Sequence, residues 1–177
     1  MNSFALFTDV SLNPMLKLGV GCYLLVPDSF LEVSPQNIER NEVAERLVLR
    51  RFEAASSTEL EVRTALWAFE DCRDGLRASG PLKLRLYTDS QCIAGLLKRR
   101  AALEANRFLS GKTNLLLNNA SLYRTFYELH DELGFEVTKA KGHTRSCSRD
   151  TVHSIFSFID REARKALRLW LKEFASK

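Results

Sequence analysis

Three acids stand where the chain changes character. Asp9 closes the apolar run of "FALFTDV", Asp89 closes "KLRLYTD", and Glu61 sits in the first turn of the helix-like "SSTELEVRTALWAFE". Carboxylates gathered in one place repel one another and resist burial, so such a group is costly unless a cation neutralises it. Ligation by oxygen alone suits Mg²⁺ or Mn²⁺, which keep waters and take further ligands from a phosphate. Two such ions roughly 3.5–4 Å apart can activate a water and stabilise the leaving oxygen of a phosphodiester. Each acid also has a plainer use. Asp89 can cap a helix beginning at Ser90, Glu61 can complete a capping box with Thr58, and Asp9 can serve a turn.

Whether the three share a place depends on the elements that carry them. "FALFTDV" (4–10) reads as a first strand ending at Asp9, and "GVGCYLLV" (19–26) as a second, joined by the turn "LNPMLKLG". Residues 28–46 could open a short helix with Ser34 as cap and Pro35 at its first position. "RLVLRRFEA" (46–54) suits a third strand, with helix as the alternative. The clearest helix follows, its apolar face made by Leu60, Leu66, Phe69 and Leu76 and its end marked by Gly80-Pro81. Both Ser56…Glu59 and Thr58…Glu61 fit a capping box. Strand 83–89 leads into a helix from Ser90 to about Lys98, then a short basic helix and loop. A helix over 118–134, a strand over 135–143 and a long amphipathic helix from Val152 complete the chain. The order β-β-β-α-β-α-(α)-α-β-α predicts one α/β domain over residues 1–177: an antiparallel meander, then right-handed crossovers, giving a mixed sheet with helices against it. If strands one and four are parallel neighbours, Asp9 and Asp89 emerge at the same edge.

Charge distribution says more than the net charge of +4. Lys98, Arg99, Arg100, Arg107 and Lys112 face only Glu104 in their stretch, and Lys139, Lys141, Arg145 and Arg149 face no acid. Two such patches fit a polyanion footprint; solvated helix and loop surface is the alternative. Cys22, Cys72, Cys92 and Cys147 form no C-x-x-C, which argues against a zinc ribbon or disulfide framework and for reduced thiols in a cytoplasmic protein. "MNSFALFTDV" lacks the features of a signal peptide, and no stretch approaches the ~20 apolar residues of a membrane span.

Taken together, "FTDVS", "TELEVRTALWAFE", "YTDSQ", "KAKGHT" and "FIDREARKAL" resemble type 1 ribonuclease H from about residue 4 to 168. The resemblance implies a ribonuclease H-like five-stranded mixed sheet, order 3-2-1-4-5, flanked by helices. It implies a monomeric endonuclease that cuts the RNA strand of RNA–DNA hybrids with two Mg²⁺ ions, Mn²⁺ substituting. Asp9, Glu61, Asp89 and Asp160 would be the metal ligands, and His143 would assist proton transfer or product release. Matching Ala68-Phe69-Glu70 to the family's Ala-Leu-Glu selects Glu61 over Glu59, while Asp150 is a second candidate for the last carboxylate. Lys98, Arg99, Arg100 and Arg107 would touch the DNA backbone, and Asn119 with Ser56 would hold one DNA phosphate. Gln91 would reach the minor groove, and Ser57 and Thr58, standing where the family has an Asn pair, would bond a 2′-OH or base edge. The first loop departs from the family's Asp-Gly-Ser: it reads Asp9-Val10-Ser11, and Val10 does not allow the same close backbone approach. Two other readings share these residues: another Mg²⁺ nuclease of the same fold, resolvase-like, and a nucleic-acid-binding module without catalysis.

Overall fold

The computed structural model describes residues 2–140 and 150–176. Five strands form one sheet: β1 (Asn2–Asn13), β2 (Leu18–Pro27), β3 (Val48–Glu53), β4 (Leu82–Thr88) and β5 (Glu136–Lys139), in the order β3-β2-β1-β4-β5. The meander β1-β2-β3 is antiparallel, while β4 joins β1 and β5 joins β4 in parallel. This is the sheet expected from the sequence.

Helices cover both faces because the strands alternate. Ala5 and Phe7 of β1 point to one face, where α5 (Thr151–Ala175) buries Ile155, Ile159 and Ala163 against them. Leu6 of β1 and Leu84 and Leu86 of β4 point to the other, under α2 (Ser57–Ala78), α3 (Gln91–Ala105) and α4 (Ala120–Leu133). Phe69 of α2 stacks on Phe135 with centroids 4.2 Å apart, tying α2 to the start of β5. Each such fully buried side chain contributes roughly 1.5–3 kcal/mol.

Several boundaries differ from the sequence reading. Asp9 does not end its strand: β1 continues to Asn13, paired with β2 alone after its ladder with β4 stops at Thr8. The segment 28–46 holds two 3₁₀ turns, Asp28–Glu32 and Pro35–Asn37, before α1 (Arg40–Arg46). Ser34 precedes the second turn without a side-chain cap bond. The predicted break after Lys98 is absent, and α3 runs unbroken to Ala105, for "KRRAALEA" contains no helix breaker. Cys22, Cys72 and Cys92 are free thiols, and no described helix is long and apolar enough to cross a membrane.

The pair of glycines in "GVGC" sets how closely α2 approaches the sheet. A Cβ at Gly21 would meet the Thr64 hydroxyl at 2.1 Å, and one at Gly19 would meet Leu60 at 2.5 Å. Gly21→Ala should therefore overpack this contact and cost about 1–3 kcal/mol, read as a lower urea midpoint at unchanged slope. An unchanged midpoint would show that α2 can shift without penalty.

Candidate active site

The site begins with the register of the parallel pair. Phe7 and Tyr87 are direct partners, and their rings stack 4.8 Å apart on the α5 face. Thr8 and Thr88 are the last pair of the ladder. One residue later the ladder opens, and Asp9 and Asp89 leave it together. Strand parity puts Asp9 on the same face as Phe7, toward α5 and Asp160.

The helix N-termini decide which acids are left for the cleft. Ser56 caps α2, its hydroxyl accepting from the Glu59 N–H at 3.1 Å, while Glu59 reaches back to accept from the Ala55 N–H at 2.8 Å. That reciprocal pair occupies Glu59 and leaves Glu61 outside the cap. Ser90 caps α3, accepting from the Ile93 N–H at 3.2 Å, so Asp89 does not serve as the cap. The same Ser90 hydroxyl donates to Glu61 and links α2 to the start of α3. Asp150 caps α5, accepting from the His153 N–H at 2.9 Å, which engages this second candidate carboxylate at the helix end. Asp160 lies nearly three turns further on, at about 3.6 residues per turn, and is ion-paired with Arg164 at 2.8 Å.

Asp9, Glu61 and Asp89 line one open cleft of about 540 Å³, walled by Ser56 and Ser57. Asp9 is buried, with 7% of its surface exposed, and its carboxylate accepts the Val10 N–H at 2.8 Å. Burial first, and then the charge of Asp89, push Asp9 up to about 8, with a smaller push from Asp160. Asp89 is exposed, yet partial desolvation by the cleft walls raises it too, reinforced by Asp160. Glu61 is raised by burial and by Asp89, against a lowering by Ser90. Asp89 is thus the electrostatic hinge of the four, felt by Asp9 and Glu61 and itself feeling Asp160.

Asp9, Glu61 and Asp89 are hard oxygen donors that desolvation makes reluctant to shed their protons, and with Asp160 they form a donor set that fits Mg²⁺ or Mn²⁺. Among the described residues, however, no group of three or more His, Cys, Asp or Glu side chains is arranged to hold a metal ion. Glu61 is turned to Ser90, Asp160 to Arg164, and Asp9 to its neighbouring N–H.

The other candidate residues are distributed unevenly. Ser57 and Thr58 open α2, and only Ser57 joins Ser56 in the cleft wall. Gln91 accepts from the Lys139 ammonium. Asn119 precedes α4 without a side-chain cap bond. Lys98, Arg99 and Arg100 lie along α3 and Arg107 just beyond it. Arg100 is engaged by Glu104 at 2.8 Å and Asp131 at 2.7 Å, and so ties α3 to α4. Arg99 donates to the Cys92 carbonyl at 3.2 Å. His143, with Lys141, Arg145, Cys147 and Arg149, lies outside the described residues. Sequence reading missed the two side chains that hold the acids, Ser90 on Glu61 and Arg164 on Asp160. The Asp160-x-x-x-Arg164 spacing was a legible signal for the second.

With this geometry in hand, comparison with solved structures identifies the architecture. The chain superposes on the solution structure of the PFV RNase H domain with a TM-score of 0.61 at 13% identity, covering 95% of this chain and 94% of that one. The chain has a ribonuclease H-like fold. A foamy viral protease-reverse transcriptase in complex with dsDNA matches with a TM-score of 0.60 at 13% identity, over 94% of this chain and 93% of that chain. The same enzyme in complex with RNA/DNA hybrid matches with a TM-score of 0.54 at 12% identity, over 92% of this chain but 19% of that one. No protein-family model and no curated protein matches the chain. At these identities the likeness is one of fold; the site stands on its own residues.

Proposed function

We propose that this protein is a Mg²⁺-dependent endonuclease that hydrolyses the RNA strand of RNA–DNA hybrids. The observation that carries this reading is the convergence of Asp9 and Asp89, delivered in register by a parallel strand pair, within electrostatic reach of Asp160, with Glu61 coupled to Asp89. Foamy viral relatives of the fold in complex with dsDNA and with RNA/DNA hybrid support a nucleic-acid substrate.

Asp9, Glu61, Asp89 and Asp160 would hold two Mg²⁺ ions, which when bound would supply an activated water and stabilise the leaving oxygen. The rest falls to the chain. The apolar layer beneath Asp9 fixes its carboxylate in a dry environment, where charge interactions are strong. Ser90 orients Glu61 and Arg164 orients Asp160. Ser56 and Ser57 present polar groups along the wall where a strand would lie, suited to 2′-OH contacts in a wide minor groove. His143 is assigned the proton transfer. Lys98, Arg99 and Arg107 are the proposed DNA-backbone contacts, with Arg100 already engaged by Asp131.

A second reading is a nucleic-acid-binding module without catalysis. It is favoured by the Arg164–Asp160 pair, in which a guanidinium already supplies the countercharge. A panel of labelled RNA–DNA hybrid, single-stranded RNA and four-way DNA junction, each with Mg²⁺, separates the readings. The expected result is cutting confined to the RNA of the hybrid. Cutting of junctions alone would establish a resolvase-like enzyme, and nucleic-acid binding without cutting or Mg²⁺ uptake by calorimetry would establish the module.

A further inference from the structure

The outer face of α5 carries a stripe of which the proposed function uses Arg164 alone. Ser154, Ser157, Arg161, Arg164 and Arg168 follow one another at intervals of three and four residues, the spacing that puts side chains in one row along a helix. The row spans about 21 Å at 1.5 Å per residue.

Two grooves run along this row and meet. One, of about 220 Å³, lies between α5 and the segment 35–43 and is flanked by Arg40 and Arg161. The other, of about 510 Å³, lies between α5 and β1 and is lined by Ser11, Arg164 and Arg168. Ser157 and Arg161 line both, so the grooves are continuous. Asp160 is the one carboxylate in either lining. The second groove therefore reaches Asp160, the acid that Asp9 and Asp89 sense, and Ser11, two residues beyond Asp9 on β1.

Charge pairing leaves this face positive. Several arginines elsewhere are matched to acids: Arg46 to Glu42, Arg51 to Glu173, Arg63 to Glu59, and Arg73 and Arg77 to Glu132. Among the described residues no carboxylate lies within ion-pair distance of Arg40, Arg161 or Arg168, and Glu162, beside Arg161, turns to Lys165 instead. Four guanidiniums against one acid, exposed along a groove, form a strip of positive potential with donors suited to phosphate.

We infer that the Ser157–Arg161–Arg164–Arg168 row, with Arg40, binds the phosphodiester backbone of the nucleic-acid strand that crosses the carboxylate cleft. The inference rests on the reading of that cleft as a phosphodiester site. It adds a track on the α5 side, distinct from the α3 arginines. Arg164 stands at the junction, holding Asp160 when no phosphate is present.

The test is binding of a fluorescent RNA–DNA hybrid, and separately of single-stranded RNA, to the full chain in EDTA over a range of salt. Arg161→Gln/Arg168→Gln removes two charges from the row and leaves Arg164 in place. Arg73→Gln/Arg77→Gln removes two from the far end of α2, as a control for overall charge. The row variant should lose about tenfold to a hundredfold in affinity, with the salt slope shallower by about 1.4–1.8. The control should change less than about twofold, and Arg161→Lys/Arg168→Lys should stay within about threefold of wild type. Wild-type affinity in the row variant, or equal losses in row and control, overturns the inference. Mg²⁺-dependent hybrid cutting with row-independent binding removes the track but keeps the nuclease. Row-dependent binding without cutting keeps the track and removes the nuclease. Failure of the wild type to bind either probe removes both.

Discussion

Asp89→Asn is expected to reduce hybrid cleavage by at least about a thousandfold, a loss of roughly 4 kcal/mol of transition-state stabilisation. Asp89 is the acid that both Asp9 and Glu61 feel, and it feels Asp160 in turn. Removing its charge would therefore weaken the hold on a divalent cation that is proposed for the whole group. Stability should change by no more than about 0.5 kcal/mol, because Asp89 is exposed and the cap of α3 belongs to Ser90. Hybrid binding in chelator should persist, since an acid facing the substrate is lost. Cleavage by the variant at the wild-type rate, or wild-type cleavage without a divalent metal, would remove the nuclease reading.

Asp9→Asn is expected to stabilise the metal-free protein while destroying its activity. In the native state burial first, and then the Asp89 charge, carry the Asp9 carboxyl up to about 8. The unfolded chain gives up the same proton near its ordinary value of about 3.9. Between these values the native state holds a proton that the unfolded state has lost. The contribution of Asp9 is thus fully present below pH 4 and is lost as pH rises through 8. Asparagine keeps the shape and the acceptor for the Val10 N–H but carries no charge at any pH. Urea denaturation in chelator should show the variant more stable at pH 8, on the order of a few kcal/mol, and little different at pH 4. Mg²⁺ should narrow the gap by stabilising the wild type alone. Parallel pH profiles for the two proteins would show that Asp9 is not the site of the cost.

Both variants concern acids that could be picked out from one-dimensional signals. Asp9 and Asp89 each close an apolar run, and the alternation of "KLRLYTD" and the periodicity of "TELEVRTALWAFE" are local patterns set by backbone geometry. The element order and a mixed sheet were legible for the same reason, a meander followed by right-handed crossovers, while the strand order 3-2-1-4-5 was what the family resemblance implied. Less legible were competitions among neighbours. Glu59 and Glu61 both fit a capping box, and the fold spends Glu59 on it. Asp150 and Asp160 both stood as the last acid, and the fold uses Asp150 at the N-terminus of α5. The end of β1 was misplaced because β2 keeps pairing with it after β4 departs, a tertiary fact.

What the sequence by itself determined was the order of elements, the faces they bury and the acids that follow their apolar runs, because propensity and hydrophobic period act within a few residues. What only the tertiary structure decided was which polar groups answer one another. Ser90 meets Glu61 across 29 positions, Asp9 senses Asp89 and Asp160, and Arg161 and Arg168 are left without acids while Arg100 finds Asp131. Hydrogen bonds and charge interactions depend on distance through space, and that distance is set only when the sheet and its helices have closed.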